Sequence, residues 1–173
     1  MTKLEIVGIH GADGLIYVNR LKKGVELIKS DETEYIILLG FPGWYGLNYI
    51  KRKFDISERR VLVEGYAKST LQELKYLKSR FIRDYYKKLG LVSQKWHLYP
   101  RIEMLSNYFF PRNYYSVEFF EAEDGRDEFS IKRDIKREKI AILLNKLRIH
   151  SGIIGTSDAV EDILWLIKKL YKI

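Results

Sequence analysis

The sequence has no cysteine, and this single absence removes several kinds of chemistry. A chain without thiols forms no disulfide bond, no thiolate metal site and no cysteine nucleophile. Only three histidines are present, which argues against a histidine-rich site, so we predict that the protein holds no metal. The scarcity of labile side chains, with two methionines and no cysteine, is typical of thermophilic proteins.

Long hydrophobic runs are also missing. No segment approaches the roughly 18 uninterrupted apolar residues of a membrane helix, so we expect no membrane partner. The N-terminal stretch MTKLEIVGIHGADG lacks the apolar run of a secretory signal, which makes the cytoplasm the expected location. No pattern in the chain indicates a cofactor or an oligomeric state.

Positive charge is abundant. The formal net charge is +8 and the isoelectric point is about 9.4, a balance that favours polyanionic partners. The basic residues are nevertheless spread along the chain and mixed with acids and apolar residues, as on solvent-exposed helix faces. A length of 173 residues, of which 46% are hydrophobic, suits one domain with a sizeable core.

Apolar runs rich in β-branched residues alternate with segments of helical spacing. The runs are LEIVGI (4–9), YIILLG (35–40), RVLVEG (60–65), LGLVS (89–93) and YSVEFFEA (115–122). This alternation is typical of βαβ units and parallel sheets. We therefore predict one Rossmann-like α/β domain over 1–173, a three-layer α/β/α sandwich with a mainly parallel five-stranded sheet. Two amphipathic segments, 135–149 and 157–173, predict two C-terminal helices.

Polar and small residues are concentrated directly after the predicted strands. In an open parallel sheet, ligands bind beyond the carboxyl ends of the strands, where successive loops face one crevice. Glycines there let a backbone approach a ligand, and the helix that follows offers free N–H groups to an anion. The glycines of GIHGADG have the wrong spacing for GxGxxG, and neither the GxxxxGK[ST] nor the GxSxG motif occurs.

The order of these pieces resembles the DUF218 family over about residues 4–110. The corresponding stretches are GIHGADG, NRLKKGVEL, YIILLGFPG, VLVEGYAKSTLQEL and LVSQKWHLYPR. The resemblance implies a Rossmann-like protein that binds a small phosphorylated or nucleotide-like ligand. The chain departs from the family pattern at Gln72 and Glu73, where Glu and Asn are usual, and at Phe41, where a second Gly is usual. The His97-to-Arg101 spacing is one residue longer than in the family.

The resemblance also implies which residues form the site. It matches Arg20, Gly40, Glu64, Thr70, Glu73, His97 and Arg101 to family positions. We predict Glu64 and His97 as catalytic residues. The predicted ligand-binding residues are Gly8, His10, Gly11, Arg20, Gly40, Thr70, Glu73 and Arg101.

Each of these residues also has a structural interpretation. Glu64 follows a strand of Val and Leu, where a buried acid needs a partner, and a loop N–H would serve as well as a ligand. We expect this strand to be central in the sheet, with Glu64 in reach of the 93–101 loop. Thr70 lies beside Ser69, and the pair is first of all a helix N-cap, with Ser69 and Gln72 forming a capping box. His97 suits acid–base chemistry near neutral pH, or packing beside Trp96.

The loop and helix residues near these positions leave similar alternatives. Arg101, four residues after His97, is expected on the same helix face, where it binds an anion or forms an ion pair with Glu103. His10 is a candidate ligand contact, and Asp13 in the same loop is the expected N-cap of the first long helix.

Three functions follow from these observations. The first is a binding site for a small anionic or nucleotide-like ligand at the strand ends, with no reaction specified. The second is nucleic-acid binding through basic, tyrosine-rich segments such as KSRFIRDYYKK (78–88). The third is an interaction protein that kept the fold and lost the site, an alternative that the departures at Glu73 and Phe41 favour.

Overall fold

A computed structural model describes residues 3–40 and 43–150. Its sheet has five strands: β1 (Ile6–Ile9), β2 (Ile36–Leu38), β3 (Val61–Val63), β4 (Lys88–Ser93) and β5 (Ser116–Glu121). All neighbouring strands are parallel, and their order is β3-β2-β1-β4-β5. The predicted parallel five-stranded sheet is therefore confirmed. The predicted helix at 157–173 lies outside the described residues.

Helices cover both faces of this sheet. They are α1 (Gly14–Lys29), α2 (Gly43–Lys53), α3 (Thr70–Asp84), the short turn α4 (Lys95–His97), α5 (Glu103–Phe109) and α6 (Glu128–His150). Side chains of β1 alternate between two cores: Val7 and Ile9 pack with α1 and α2, whereas Ile6 packs with α3 and α5. Alternation along buried strands produces two apolar layers, and the three-layer α/β/α sandwich follows.

The start of α3 has the predicted cap with one difference. The Ser69 hydroxyl accepts a hydrogen bond from the Gln72 amide at 3.3 Å, as an N-cap does. The Gln72 side chain accepts from the Lys68 amide at 2.7 Å, one residue before the position that a capping box uses. Because Ser69 provides the cap, the hydroxyl of Thr70 is left for another contact.

The strand order corrects one expectation. The strand that precedes Glu64 was expected to be central, yet β3 lies at the edge of the sheet beside β2. The central neighbours are β1 and β4, which pair from Ile6 with Leu89 to Ile9 with Val92. From β1 the chain continues toward one edge, and from β4 toward the other. The loops that follow these two strands separate there, and such a switch point is where open α/β sheets bind ligands.

The last described helix, α6, spans 23 residues and presents an unexpected face to the protein. Its buried residues are Glu138, Ala141 and Asn145. Ile140 and Leu143, in contrast, are 49% and 59% exposed. The helix therefore turns polar and small side chains inward, because it lies over a polar crevice instead of the apolar sheet. None of the helices in the described part of the chain combines the length and apolarity that a membrane crossing needs.

Candidate functional site

A cavity of about 850 Å³ opens at the carboxyl ends of the strands. It lies between the loop after β1, the loop after β3, the turn α4 and the helix α6. Its lining residues include Gly11, Ala12, Asp13, Arg20, Tyr66, Lys68, Thr70, Glu73, Trp96, His97, Arg101, Glu138, Asn145 and Arg148. Six of the ten predicted site residues line it: Gly11, Arg20, Thr70, Glu73, His97 and Arg101.

Arg20 forms hydrogen bonds with both loops at the switch point, the loop after β1 and the loop after β4. Its Nη1 donates to the carbonyl oxygens of His10 at 3.0 Å and Gly11 at 2.7 Å, and its Nε donates to Oε1 of Gln94 at 2.7 Å. Burial lowers the pKa of this guanidinium to about 10, so it keeps its charge at neutral pH. The side chain therefore adds a positive charge to the cavity wall and joins the loops on either side of the crevice.

His10 and Glu73 form a buried pair beneath the cavity. Nδ1 of His10 lies 2.6 Å from Oε2 of Glu73, and the Gly11 amide donates to Oε1 at 2.9 Å. Burial by itself raises the pKa of the Glu73 carboxyl. The His10 ring and the Gly11 amide lower this pKa by more than burial raises it, so the pKa of Glu73 is below its usual range. His10 is fully buried and does not line the cavity, contrary to its predicted ligand contact.

A chain of polar side chains crosses the cavity wall from α3 to α6. Oγ1 of Thr70 lies 3.3 Å from Nε2 of His97, and Nδ1 of His97 lies 2.9 Å from Oε1 of Glu138. Arg101 donates from Nη1 to the same carboxylate oxygen at 3.0 Å. Three separate elements, α3, the turn after β4 and α6, therefore bring one hydroxyl, one imidazole, one carboxylate and one guanidinium together.

The protonation states of this chain follow from burial and charge. Burial lowers the pKa of His97 to about 4, although the Glu138 carboxylate acts in the opposite direction, so the ring is neutral near pH 7. Burial would raise the pKa of Glu138, but hydrogen bonds and charge from His97 and Arg101 lower it to about 2. An ionised carboxylate only accepts hydrogen bonds, so Nδ1 of His97 carries the ring proton and Nε2 is unprotonated.

Two residues of α6 that line the cavity carry unpaired polar atoms. Oε2 of Glu138 and Nδ2 of Asn145 are buried, and neither has a hydrogen-bond partner among the described residues. Nε of Arg101 is in the same condition. A buried polar atom without a partner costs about 1–3 kcal/mol, so three of them around one cavity require an explanation.

Glu64 lies outside the cavity, next to the loop after β2. Its carboxylate accepts hydrogen bonds from the backbone amides of Gly40, Tyr66 and Ala67 at 3.1, 3.0 and 3.1 Å. This is the loop-anchoring arrangement that is the structural alternative to a catalytic role. The carboxylate was expected to reach the 93–101 loop; it reaches the loop after β2 because β3 is an edge strand beside β2.

Two predicted glycines also lie outside the cavity, for packing reasons. Gly8 lies within β1, where an added Cβ would come within 3.1–3.2 Å of Leu39, Leu77 and Leu91. Gly40 has a left-handed φ of +65°, and an added Cβ would lie 2.6 Å from Oε1 of Glu73. Both glycines make room for their neighbours, which is a different role from the predicted ligand contact.

His97 and Arg101 meet at Glu138, although not through the expected helix face. The backbone between them is interrupted at Tyr99, whose φ and ψ of −116° and 120° are not helical. The two side chains converge because α6 supplies a common acceptor, and Arg101 pairs with Glu138 instead of Glu103. Asp13 occupies the N-cap position of α1 as predicted, but its side chain makes no capping hydrogen bond.

Sequence reasoning missed the contribution of α6 to the site. Glu138, Ala141 and Asn145 share one helix face, and polar residues on an amphipathic helix are normally interpreted as solvent-facing. The usable signal was the small residue Ala141 between two polar ones, at a spacing that places all three inward. Gln94, whose Oε1 accepts a hydrogen bond from Arg20, is a second site residue outside the predicted set.

The basic segment 78–88 makes internal contacts. Lys78 lies 4.0 Å from the centre of the Tyr115 ring, and Arg80 and Arg83 both pair with Asp84 at 3.1 and 2.9 Å. These contacts occupy charges that the nucleic-acid alternative requires, and that alternative stays a prediction. Within residues 3–40 and 43–150, no cluster of three or more acidic or histidine side chains could hold a metal ion.

Comparison of the chain with models of protein families, with curated proteins and with solved structures found no match. The chemistry of the cavity must therefore be inferred from its own residues.

Proposed function

We propose that the protein binds a small anionic molecule that also carries hydroxyl groups, such as a nucleotide or a sugar phosphate, in the cavity at the β1/β4 switch point. The observation that carries this proposal concerns two atoms on α6, Oε2 of Glu138 and Nδ2 of Asn145. Neither has a hydrogen-bond partner in the part of the chain that the structure describes, and both residues line the cavity. The resemblance to the DUF218 family belongs to the same proposal.

The charge of the lining supports an anionic ligand. Arg20, Arg101, Lys68 and Arg148 line the cavity together with the acids Asp13, Glu73 and Glu138. Both oxygens of Glu73 are bound by protein donors, and Oε1 of Glu138 is bound by two. The acids are thus largely compensated by the protein. The N-terminus of α1, which no side chain of Asp13 caps, adds the positive end of a 16-residue helix to the same region.

The unpaired atoms support a ligand with hydroxyl groups. A carboxylate oxygen such as Oε2 of Glu138 accepts hydrogen bonds, and an amide nitrogen such as Nδ2 of Asn145 donates them. A hydroxyl group can satisfy both kinds of partner, as the ribose of a nucleotide or the ring of a sugar does. Trp96, which also lines the cavity, offers an aromatic surface to a base or ring.

Binding calorimetry with a matched ligand pair tests the proposal. We expect adenosine 5′-monophosphate or a hexose phosphate to bind, and the corresponding nucleoside or sugar without phosphate to bind at least about 10-fold more weakly. A panel of nucleotides and sugar phosphates that neither releases heat nor raises the melting temperature at millimolar concentration contradicts the proposal.

Two substitutions on the same helix locate the site. Arg148→Gln removes a cation from the cavity lining, whereas Lys139→Gln removes one from the exposed side of α6. We expect the first to weaken binding of the phosphorylated ligand by about 10-fold or more and the second to leave it unchanged. Equal effects of the two substitutions would show that binding follows net charge alone.

A further inference from the structure

The hydroxyl of Thr70 has no structural task that the helix requires. Ser69 caps α3, so Thr70, the first residue of that helix, directs its hydroxyl to His97. Thr70, His97 and Glu138 are 6%, 8% and 8% exposed, and all three line the cavity. A buried hydroxyl, an imidazole and a carboxylate are thus arranged in line at the wall of the cavity proposed above as a ligand site.

We propose that Thr70 is a nucleophile, with His97 as its general base and Glu138 as the positioning residue, and that the cavity catalyses acyl transfer from carboxylic esters of anionic molecules. A nucleophile that bonds to a base, which a third group orients, is recognised by geometry regardless of fold or chain order. The inference rests on the proposed cavity for its anionic substrates.

The hydrogen-bond directions fit these roles. Because Glu138 accepts the Nδ1 proton, the bare Nε2 of His97 accepts the proton of the Thr70 hydroxyl. The oxygen–nitrogen distance of 3.3 Å is at the long end for such a bond, and nucleophile–base contacts tighten when substrate binds. Arg101 holds the carboxylate of Glu138 from the other side, so the orienting group is itself fixed.

The N-terminus of α3 can stabilise the negative charge that develops on the acyl oxygen of the substrate. The first amides of a helix have no acceptor within it, and the positive end of the helix dipole lies there. The Gln72 amide is bound by Ser69, whereas Thr70 and Leu71 contribute the two amides before it. These two N–H groups belong to the nucleophile and to the residue after it, and the proposal assigns them to the developing oxyanion.

Water is the only reactant that the reaction needs besides the ester. The Oγ1 of Thr70 bonds to the acyl carbon while its proton passes to Nε2 of His97, and the carbon–oxygen bond to the alcohol then breaks. The departing alkoxide takes that proton. Water next gives a proton to Nε2 and bonds to the acyl carbon, and the acyl–Thr70 bond breaks as Thr70 recovers the proton. The sum is ester plus water to acid plus alcohol.

Labelling of the native protein tests the inference directly. The protein is incubated with p-nitrophenyl acetate and with p-nitrophenyl hemisuccinate, quenched in acid and digested. Mass spectrometry should find the acyl group on the peptide that contains Thr70. Acyl groups confined to lysines, or no acyl group at all, overturn the inference. This result does not depend on whether any variant folds.

A matched pair of substitutions supplies the kinetic test. Thr70→Val keeps the shape and removes the hydroxyl, and it should lower ester turnover at least about 1,000-fold. Thr70→Ser keeps the hydroxyl and should retain turnover. Glu138→Gln should lower kcat at least about 100-fold and move the acid limb of the pH–rate profile to lower pH, because the carboxylate raises the pKa of His97. Turnover by Thr70→Val equal to that of the native protein overturns the assignment.

The two proposals fail in different ways. If the hemisuccinate ester reacts no faster than the acetate while Thr70 is labelled, the nucleophile stands and the preference for anions fails. If nucleotides or sugar phosphates bind to Thr70→Val as to the native protein and neither ester labels Thr70, the binding site stands and the acyl-transfer inference fails.

Discussion

Glu138 accepts a hydrogen bond from the ring of His97 at 2.9 Å, although 41 residues and one strand separate them in the chain. This contact joins α6 to the turn after β4 and closes the cavity over the switch point. Arg101 shares the same oxygen, so one carboxylate compensates a buried cation and orients a buried imidazole.

Removal of the Glu138 carboxylate should destabilise the protein. Glu138→Ala leaves the mostly buried guanidinium of Arg101 without its acid, and loss of one partner of such a pair costs about 3–5 kcal/mol. Urea unfolding of the variant should therefore show a large decrease in the free energy of unfolding. Glu128→Ala, at an exposed ion pair with Lys132 near the start of the same helix, should cost less than about 1 kcal/mol. Similar losses for both variants would contradict the assigned role of Glu138.

Stability should fall as the pH falls from about 6.5 to about 4. The folded protein holds the pKa of His97 at about 4, below its usual 6.5, so the unfolded chain takes up a proton in this window that the folded chain does not. The expected contribution is about 3 kcal/mol between pH 7 and pH 4. Below pH 4.5, Glu138, with a pKa of about 2, adds a loss of the same sign.

Unfolding measured at several pH values in His97→Gln separates this effect from general acid sensitivity. The variant should have a flatter dependence on pH between 6.5 and 4 than the native protein. Parallel curves for the two proteins would show that the imidazole of His97 titrates normally in the folded state.

Glu64 should contribute to stability and not to ligand binding. Its carboxylate holds the amides of Gly40, Tyr66 and Ala67, and Glu64→Ala leaves these donors without their acceptor. We expect the free energy of unfolding to fall by about 2–4 kcal/mol and the affinity for a phosphorylated ligand to change less than about 2-fold. A loss of affinity with unchanged stability would restore the catalytic role that the sequence suggested.

Two glycines with left-handed φ offer a controlled comparison. Gly14 has a φ of +55°, and no heavy atom of the described residues lies within 4 Å of an added Cβ, so Gly14→Ala should cost only the backbone strain of about 1–2 kcal/mol. Gly40 has a φ of +65°, and the added Cβ would meet Glu73 and the carbonyl of Ala67 at 2.6 and 2.9 Å. Gly40→Ala should cost about 1–3 kcal/mol more. Equal costs in thermal or urea unfolding would contradict the close contact with Glu73.

The sequence predicted the fold well because local patterns determine most of it. Five apolar runs became five strands, and the spacing of Leu71, Leu74 and Leu77 became the buried face of α3. The order of the strands is not a local property, and for that reason β3 was placed in the centre of the sheet. Because of that error, Glu64 was expected near the His97 loop. At the edge of the sheet it lies beside β2, and its carboxylate binds the Gly40 amide.

The sequence predicted only the part of the site that follows from local patterns. His97 and Thr70 follow strand ends, so the rule for parallel sheets selected both, and they lie 3.3 Å apart. Glu138 and Asn145 come from a helix beyond the last strand, where no sequence rule states which loop the helix will cross. Their burial becomes visible only when α6 is placed over the crevice.

The most direct test of the ligand site is nuclear magnetic resonance of the histidine side chains during a titration with adenosine 5′-monophosphate. The three histidines are His10, His97 and His150, and only His97 lines the cavity. We predict that the His97 ring resonances and the side-chain amide of Asn145 shift with saturation, while His150 at the end of α6 does not. Saturating shifts at His150 alone, or no shifts at His97 and Asn145 at millimolar nucleotide or sugar phosphate, would contradict a ligand site at the β1/β4 crevice.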